Sequence, residues 1–268
     1  MPILTDPFSG WIDPDEVPRP VVAFGAAMAK IGPVELAPHR HANGQVLLVQ
    51  RGALSCEVEG GLWIVPPQSA VWIPGGALHS IKATGALEGI GAFIDPAGSS
   101  GMPKVCRAVS VTPLLRELLA RAARLPALYE EGGANARLVA VLLDELAAAQ
   151  IEDLHLPMPA DPRLRRIAEW MMASPADRST LDVWARRAGL SERSLARLMS
   201  RETGMSLGRW RQQLSLMLAV ERLAGGASIQ QVSADLGYES TPSFVTMFRK
   251  VLGTSPARYM AERRPGRH

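Results

Sequence analysis

Ala185-Arg186-Arg187-Ala188-Gly189-Leu190-Ser191 and Ser233-Ala234-Asp235-Leu236-Gly237-Tyr238-Glu239-Ser240 share one pattern. A small residue is followed four positions later by glycine and then by an apolar residue, and the pattern recurs 48 positions apart. After a one-residue insertion the apolar spacing continues: Leu195 and Met199 match Phe244 and Phe248, each pair at the i, i+4 separation of one helical face. A small residue lets two helices cross closely, and the glycine can take the left-handed turn that ends the first of them. That is the pattern of a helix-turn-helix, and it is present twice.

Cap residues mark the helix starts around these turns. Ser179 with Asp182, a shorter variant, and Ser228 with Gln231 have capping-box spacing. Thr241-Pro242 and Ser255-Pro256 place a cap ahead of a proline at the first helical position, where its missing N–H costs little. Seven helices are expected, at about 163–173, 180–188, 192–203, 207–224, 229–236, 242–251 and 256–263. They make two helix-turn-helix units joined by one long helix. At 1.5 Å per residue its roughly 18 residues span about 27 Å, of the order needed to hold two recognition helices one DNA turn, about 34 Å, apart.

Charge divides at the proline-rich stretch Leu156–Pro162. From Asp161 onward there are 18 Lys and Arg against 10 Asp and Glu, a balance of +8, and the remainder carries 11 against 16, or −5. A basic, arginine-dominated C-terminal part is the electrostatic footprint of a surface that neutralises phosphates, although a solvated helical surface would carry the same charge.

The C-terminal hundred residues resemble the AraC/XylS transcription regulators. Gly237-Tyr238-Glu239-Ser240, Phe244, Phe248-Arg249-Lys250, Gly253, Ser255-Pro256 and Tyr259 carry the resemblance, with Ala185, Gly189, Leu190-Ser191 and Leu195 in the first unit. It implies two recognition helices in adjacent major grooves on one face of DNA, the first doing more of the base reading. Position by position, it offers Arg193, Ala196 and Arg197 toward the bases from the first helix, and Thr241, Ser243 and Thr246 from the second. Arginine can grip guanine through two hydrogen bonds, each such pair worth about 1–3 kcal/mol of discrimination, whereas Ala196 can touch only a thymine methyl. Arg201, Arg209, Arg211, Arg249 and Lys250 are expected on phosphates, and Leu195, Leu198, Phe244 and Phe248 in the core.

In the N-terminal half, glycine and proline break short apolar runs at intervals of about ten residues between Val21 and Ile94: Gly25, Gly32-Pro33, Gly44, Gly52, Gly60-Gly61, Pro66-Pro67, Pro74-Gly75-Gly76, Gly85, Gly89 and Gly91. This punctuation indicates an antiparallel all-β barrel or jelly roll. Within it stands His39-Arg40-His41, whose two imidazoles would share one face of a strand, with Gln45 keeping the same parity.

The region resembles the cupin superfamily. His-x-His, Gln45 and Gly52 match a metal-binding cupin motif, and Pro74-Gly75-Gly76-Ala77-Leu78-His79 matches its Pro-x-Gly-x-x-His piece. The resemblance implies His39, His41, Gln45 and His79 as ligands. The chain departs from the motif at Gln45, where glutamate is usual, at Ala83, where asparagine is usual, and in lacking a glycine ahead of Pro74. Three imidazoles and an amide oxygen suit Zn, Ni, Fe, Mn or Co, and a site without a carboxylate stays positive and favours an anionic guest. Two alternatives stand beside bound metal: a metal-free pocket whose histidines hydrogen-bond an organic effector, and plain structural histidines. Val46, Leu48, Trp63, Val71 and Trp72 can line a pocket or simply form core.

After the barrel, Thr112-Pro113 starts an apolar-periodic helix through Leu114, Leu115, Leu118, Leu119 and Leu125, and a second runs through Leu138, Val141, Leu142, Glu145, Leu146 and Ala149. Such a pair packs on the barrel or on a second copy of the chain. The expected organisation is therefore multidomain: a cupin-like sensing barrel over 1–105, a helical pair for dimerisation over 106–155, a linker over 156–162, and an all-α double helix-turn-helix domain over 163–268.

Two cysteines, Cys56 and Cys106, make no disulfide framework, no apolar window reaches the roughly 18 residues of a membrane helix, and Met1–Asp15 lacks the features of a signal peptide. A cytoplasmic chain is expected. The function expected is a sequence-specific DNA-binding regulator controlled by a metal or small molecule in its cupin domain. Its partners are double-stranded promoter or operator DNA, that effector, a second copy and RNA polymerase, with no membrane. The alternative is a cupin metalloenzyme with an accessory DNA-binding domain; because no further acid, base or nucleophile cluster accompanies the histidines, no enzyme is expected.

Overall fold

The structure is a computed structural model that describes residues 13–28, 34–58, 60–83 and 87–263. The chain divides into two compact units, one reaching to His155 and the other formed by Leu156–Arg263 with Gly60–Leu62.

The first unit is all-β with a helical excursion. Its strands are β1 (Val21–Met28), β2 (Val34–His39), β3 (Gly44–Arg51), β4 (Leu54–Val58), β5 (Gly61–Val65), β6 (Ser69–Ile73), β7 (His79–Ala83), β8 (Leu87–Ile94), β9 (Arg107–Ser110), β10 (Ile151–Glu152) and β11 (His155–Pro157). They form a six-stranded sheet, β1-β8-β3-β6-β9-β10, and a five-stranded sheet, β11-β5-β4-β7-β2. Alternate residues of the six-stranded sheet serve two cores. Val49, Val71 and Ile73 join Leu54, Cys56, Val58, Trp63 and Ile81 of the other sheet in one buried cluster. Val46, Leu48, Ala70, Trp72, Ile90 and Ala92 face the other way, against Leu115, Leu119, Val139, Leu142 and Leu146 of α1 (Pro113–Ala122) and α2 (Ala134–Ala147). With both faces buried, residues 46–49 of β3 read as a continuous apolar run with no alternation.

The helix pair is not a module that follows the barrel, as the expected 106–155 boundary had it. It leaves the sheet after β9 and re-enters it at β10, which pairs back on β9 with Ile151 opposite Val109. Thr112 caps α1, accepting the Leu115 N–H at 3.1 Å. Of the expected apolar stripe, Leu114 and Val141 stand exposed. Gly52, Gly60 and Gly76 do mark turns, with positive φ, whereas Gly25 lies within β1 and Gly89 and Gly91 within β8. A side chain at Gly89 would meet the Leu48 carbonyl, and one at Gly91 the Phe24 ring, so both record close approach rather than a bend. Gly32, Pro33 and Gly85 lie outside the described residues. Cys56 and Cys106 are free and buried.

The second unit holds α3 (Pro162–Ala173), α4 (Leu181–Arg187), α5 (Glu192–Thr203), α6 (Leu207–Ala224), α7 (Ile229–Asp235), α8 (Thr241–Leu252) and α9 (Pro256–Glu262). Each end lies within one residue of the expected one. The duplicated turns are the same in detail: Leu190 N–H donates to the Ala185 carbonyl at 2.9 Å and Tyr238 N–H to the Ser233 carbonyl at 3.0 Å, while Gly189 and Gly237 hold φ of 67° and 70°. Leu195, Met199, Phe244 and Phe248 are buried behind them.

The repeat runs further than the sequence pattern showed. Gly204 and Gly253 end α5 and α8 in the left-handed conformation, and Ser206 and Ser255 cap the helices that follow. Ser228 caps α7 as expected, by accepting the Gln231 N–H. Two caps differ from expectation. Thr180, not Ser179, precedes α4, since Asp177 takes both the hydroxyl and the N–H of Ser179; Ser240, not Thr241, caps α8 and leaves Thr241 as its first residue. The expected 156–162 linker is structured: Met158 N–H donates to the Gly60 carbonyl, Trp210 Nε1 to the Pro157 carbonyl, and Glu202 accepts the Ala160 and Asp161 N–H groups. Among the described residues no helix is long and apolar enough to cross a membrane.

Candidate functional site

His39, His41 and His79 each bring a ring nitrogen to within 4.8 Å of the other two. His39 ends β2 and His79 starts β7, where the two are register partners across the five-stranded sheet, with ring centroids 4.3 Å apart. The ladder is irregular between Leu36 and His39, and His41 lies beyond the strand in the β2–β3 loop. The strand parity expected for the two histidines therefore does not bring them together; the loop does. Gln45, expected on the same strand, stands instead on β3 in the opposite sheet, fully buried.

Backbone carbonyls fix the state of all three rings. His39 Nδ1 lies 2.9 Å from the Ala37 oxygen, His41 Nδ1 2.6 Å from that of Asn43, and His79 Nδ1 2.9 Å from that of Ala77. A carbonyl can only accept, so each Nδ1 carries a proton and, in the neutral ring, the lone pair is on Nε2. Burial holds the His79 imidazole down at about 4, opposed by its bond to Ala77 and reinforced by His39 and His41, so it is neutral near pH 7. Among the described residues the Nε2 atoms of His39 and His79 are buried without a partner. Gln45 turns its carbonyl Oε1 toward His41 Nε2 at 3.4 Å, acceptor facing acceptor, while its amide nitrogen is buried and unpaired. Converging lone pairs of this kind fit a cation bound at about 2.0–2.1 Å per nitrogen, and ring N–H groups held by carbonyls are the usual outer support of such ligands.

The loops carrying the cluster clasp each other. Gly76 N–H donates to the His41 carbonyl at 2.8 Å, and a side chain at Gly75 would overlap the Ala42 carbonyl. From the N-terminal side, Asp15 accepts the Ala42 and Asn43 N–H groups at 2.7 and 3.0 Å, and Asn43 Nδ2 donates to the Pro14 carbonyl. Sequence reasoning missed Asp15 and Asn43; the Asn43-Gly44 pair was the available turn signal. Ala83 pairs in β7 with Leu54 and Val34 and does not join the cluster.

In the second unit, Arg193, Ala196, Arg197 and Arg201 share the exposed face of α5, opposite buried Leu195, Leu198 and Met199. Arg193 and Arg197 have no acidic partner among the described residues, and Arg201 pairs with Glu202 at 3.1 Å. On α8, Ser243, Thr246, Arg249 and Lys250 are exposed opposite Phe244 and Phe248, and Thr241 is half-buried. The Ser243 hydroxyl donates to the Ser240 carbonyl at 2.7 Å, so its proton is already used within the helix. Arg209 is exposed near the start of α6. Arg211 differs from the other expected phosphate contacts: it is half-buried and donates to the Ser179 carbonyl at 3.2 Å. Sequence reasoning also missed Asp177 and Arg178, which lie in the loop before α4.

Comparison with known proteins matches both units. Residues 34–149 fit the family model of an AraC-like ligand binding domain, and residues 184–262 that of a helix-turn-helix domain. The HTH-type transcriptional regulator NimR of Escherichia coli (strain K12) is 43% identical over 223 residues, covering 83% of this chain and 81% of that one. The HTH-type transcriptional regulator RipA of Corynebacterium glutamicum is 32% identical over 103 residues, 38% of this chain and 31% of its own. Among solved structures, ToxT from Vibrio cholerae O395 aligns over 90% of this chain and 96% of its own at 10% identity, with a TM-score of 0.38.

Proposed function

The chain belongs to the AraC family of transcription regulators, and on that premise we propose that its N-terminal unit senses a divalent transition metal, or a small anion on that metal, and thereby biases DNA binding by its C-terminal unit. The observation that carries the sensing role is the set of three tautomer-locked imidazoles with converging Nε2 lone pairs. His39, His41 and His79 would hold the ion, with Gln45 Oε1 as a neutral fourth donor. The ion would supply a positive charge at a site whose four donors are all neutral, so an added guest would be anionic.

On the DNA side, Arg193 and Arg197 read bases from the first recognition helix, because they are the long, unpaired donors on its exposed face. Ala196, Thr241, Ser243 and Thr246 add shape and methyl contacts of little discrimination, and Arg201, Arg209, Arg249 and Lys250 hold phosphates. Arg211 is left out of that set because its guanidinium is engaged inside the unit.

Elemental analysis of the untreated chain tests the sensing role together with binding to the duplex it enriches from a random-sequence library. Near-stoichiometric metal, its loss in His41→Ala, and a change in DNA affinity on chelation are expected. Equal metal content in the parent and His41→Ala removes the site.

A further inference from the structure

The C-terminal unit ties its two helix-turn-helix turns together by a second route besides α6. Contacts from three elements converge on Ser174–Ser179, the segment between α3 and α4. Arg178 Nη2 donates to the Leu236 carbonyl at 2.6 Å and Nε to the Gly237 carbonyl at 3.1 Å, and its guanidinium lies 4.5 Å from the centroid of the Tyr238 ring. A cation on the carbonyls just past the C-terminus of α7 suits the helix dipole, and the ring beneath it adds a cation–π attraction. The backbones are equally close, since a Cβ on Gly237 would come within 2.8 Å of the Ala176 oxygen and 2.9 Å of its Cα. From the first helix-turn-helix, Arg187 in the last turn of α4 pairs with Asp177 at 3.0 Å. From the connecting helix, Arg211 donates to the Ser179 carbonyl.

We propose that Arg178 is a positioning residue that, through Ser174–Ser179, fixes the spacing and phase of the recognition helices α5 and α8. One helix sets the separation of its two ends but leaves a turn at either end free to swing about its junction. A second tie, off the axis of the first, removes that freedom. With the swing removed, the second helix meets its groove at high effective concentration at one spacing of the two contacted segments and at low effective concentration elsewhere. The inference rests on the DNA-binding role proposed above and is independent of the histidine cluster.

The test uses the full chain and the duplex it enriches from a random-sequence library, with variants carrying one to five base pairs added between the two contacted segments. For the parent, one added base pair is expected to cost on the order of tenfold in affinity. Arg178→Ala is expected to bind the unaltered duplex about tenfold more weakly and to lose less affinity than the parent for each added base pair. Arg178→Lys keeps the charge but cannot bridge two carbonyls while lying flat on a ring, so it should behave as Arg178→Ala does. Tyr238→Leu, which removes only the ring, should flatten the spacing profile in the same direction, and it stands in if Arg178→Ala loses its helical circular dichroism. Unchanged steepness of the spacing profile in these variants overturns the proposal. A library from which the parent enriches nothing strikes the DNA-binding role itself.

Discussion

Gln45 is a neutral amide, fully buried, with Oε1 3.4 Å from His41 Nε2, and it is the fourth, neutral donor of the metal site proposed above. Gln45→Glu changes charge with almost no change in volume, so its effect separates the metal site from a structural cluster. Without metal, a carboxylate at this fully buried position is desolvated, and the variant should melt below the parent. With zinc or nickel it should bind about tenfold more tightly than the parent, about 1.4 kcal/mol, and its melting temperature should rise more on metal addition. Calorimetric melting with and without each ion measures both arms, and equal responses in parent and variant would sink the metal assignment. The resemblance to the cupin motif nominated all four of these side chains. How they meet was not legible: an irregular ladder before His39, a loop placing His41 and a neighbouring sheet supplying Gln45 leave no trace in period-2 alternation.

The helical elements show the opposite balance, because their ends are written in local chemistry. Capping hydroxyls and left-handed glycines decide where each helix stops and starts, and both are single-residue signals. Expectation and structure part only at Ser179, whose own N–H and hydroxyl are both bonded to Asp177, and at Thr241, where Ser240 takes the Ser243 N–H. The duplicated turn supplies an internal comparison. Gly189 and Gly237 share one backbone conformation, so alanine at either costs about 1–2 kcal/mol from the left-handed φ alone. A Cβ at Gly189 meets open space, whereas one at Gly237 runs into the Ala176 backbone. Gly237→Ala should therefore destabilise more than Gly189→Ala, by a further ~1–3 kcal/mol typical of overpacking. Urea denaturation of the full chain, followed by the helical signal, gives the order; equal losses would mean that the Ala176 segment yields freely.

At the scale of the whole molecule, the charge division follows the structural one, with the positive excess on the unit that carries α5 and α8 and the negative excess on the unit with the histidines. Phosphate contact and base reading then make separable predictions. Each phosphate neutralised releases condensed counterions, so the slope of log affinity against log salt is about −0.9 per contact. Arg209, exposed beside the Ser206 cap of α6, is proposed above as a phosphate contact, so Arg209→Ala should lower affinity evenly across sequences and flatten that slope by about one unit. Arg197, unpaired in the middle of the exposed α5 face, should behave the other way. Arg197→Ala should relax preference at one or two base pairs, costing about 1–3 kcal/mol against the best sequence and little against random duplex. Titrations of both variants against the enriched duplex and a scrambled one, at several salt concentrations, decide the matter. If Arg197→Ala weakens both duplexes equally, the residue is a phosphate contact and base reading passes to Arg193.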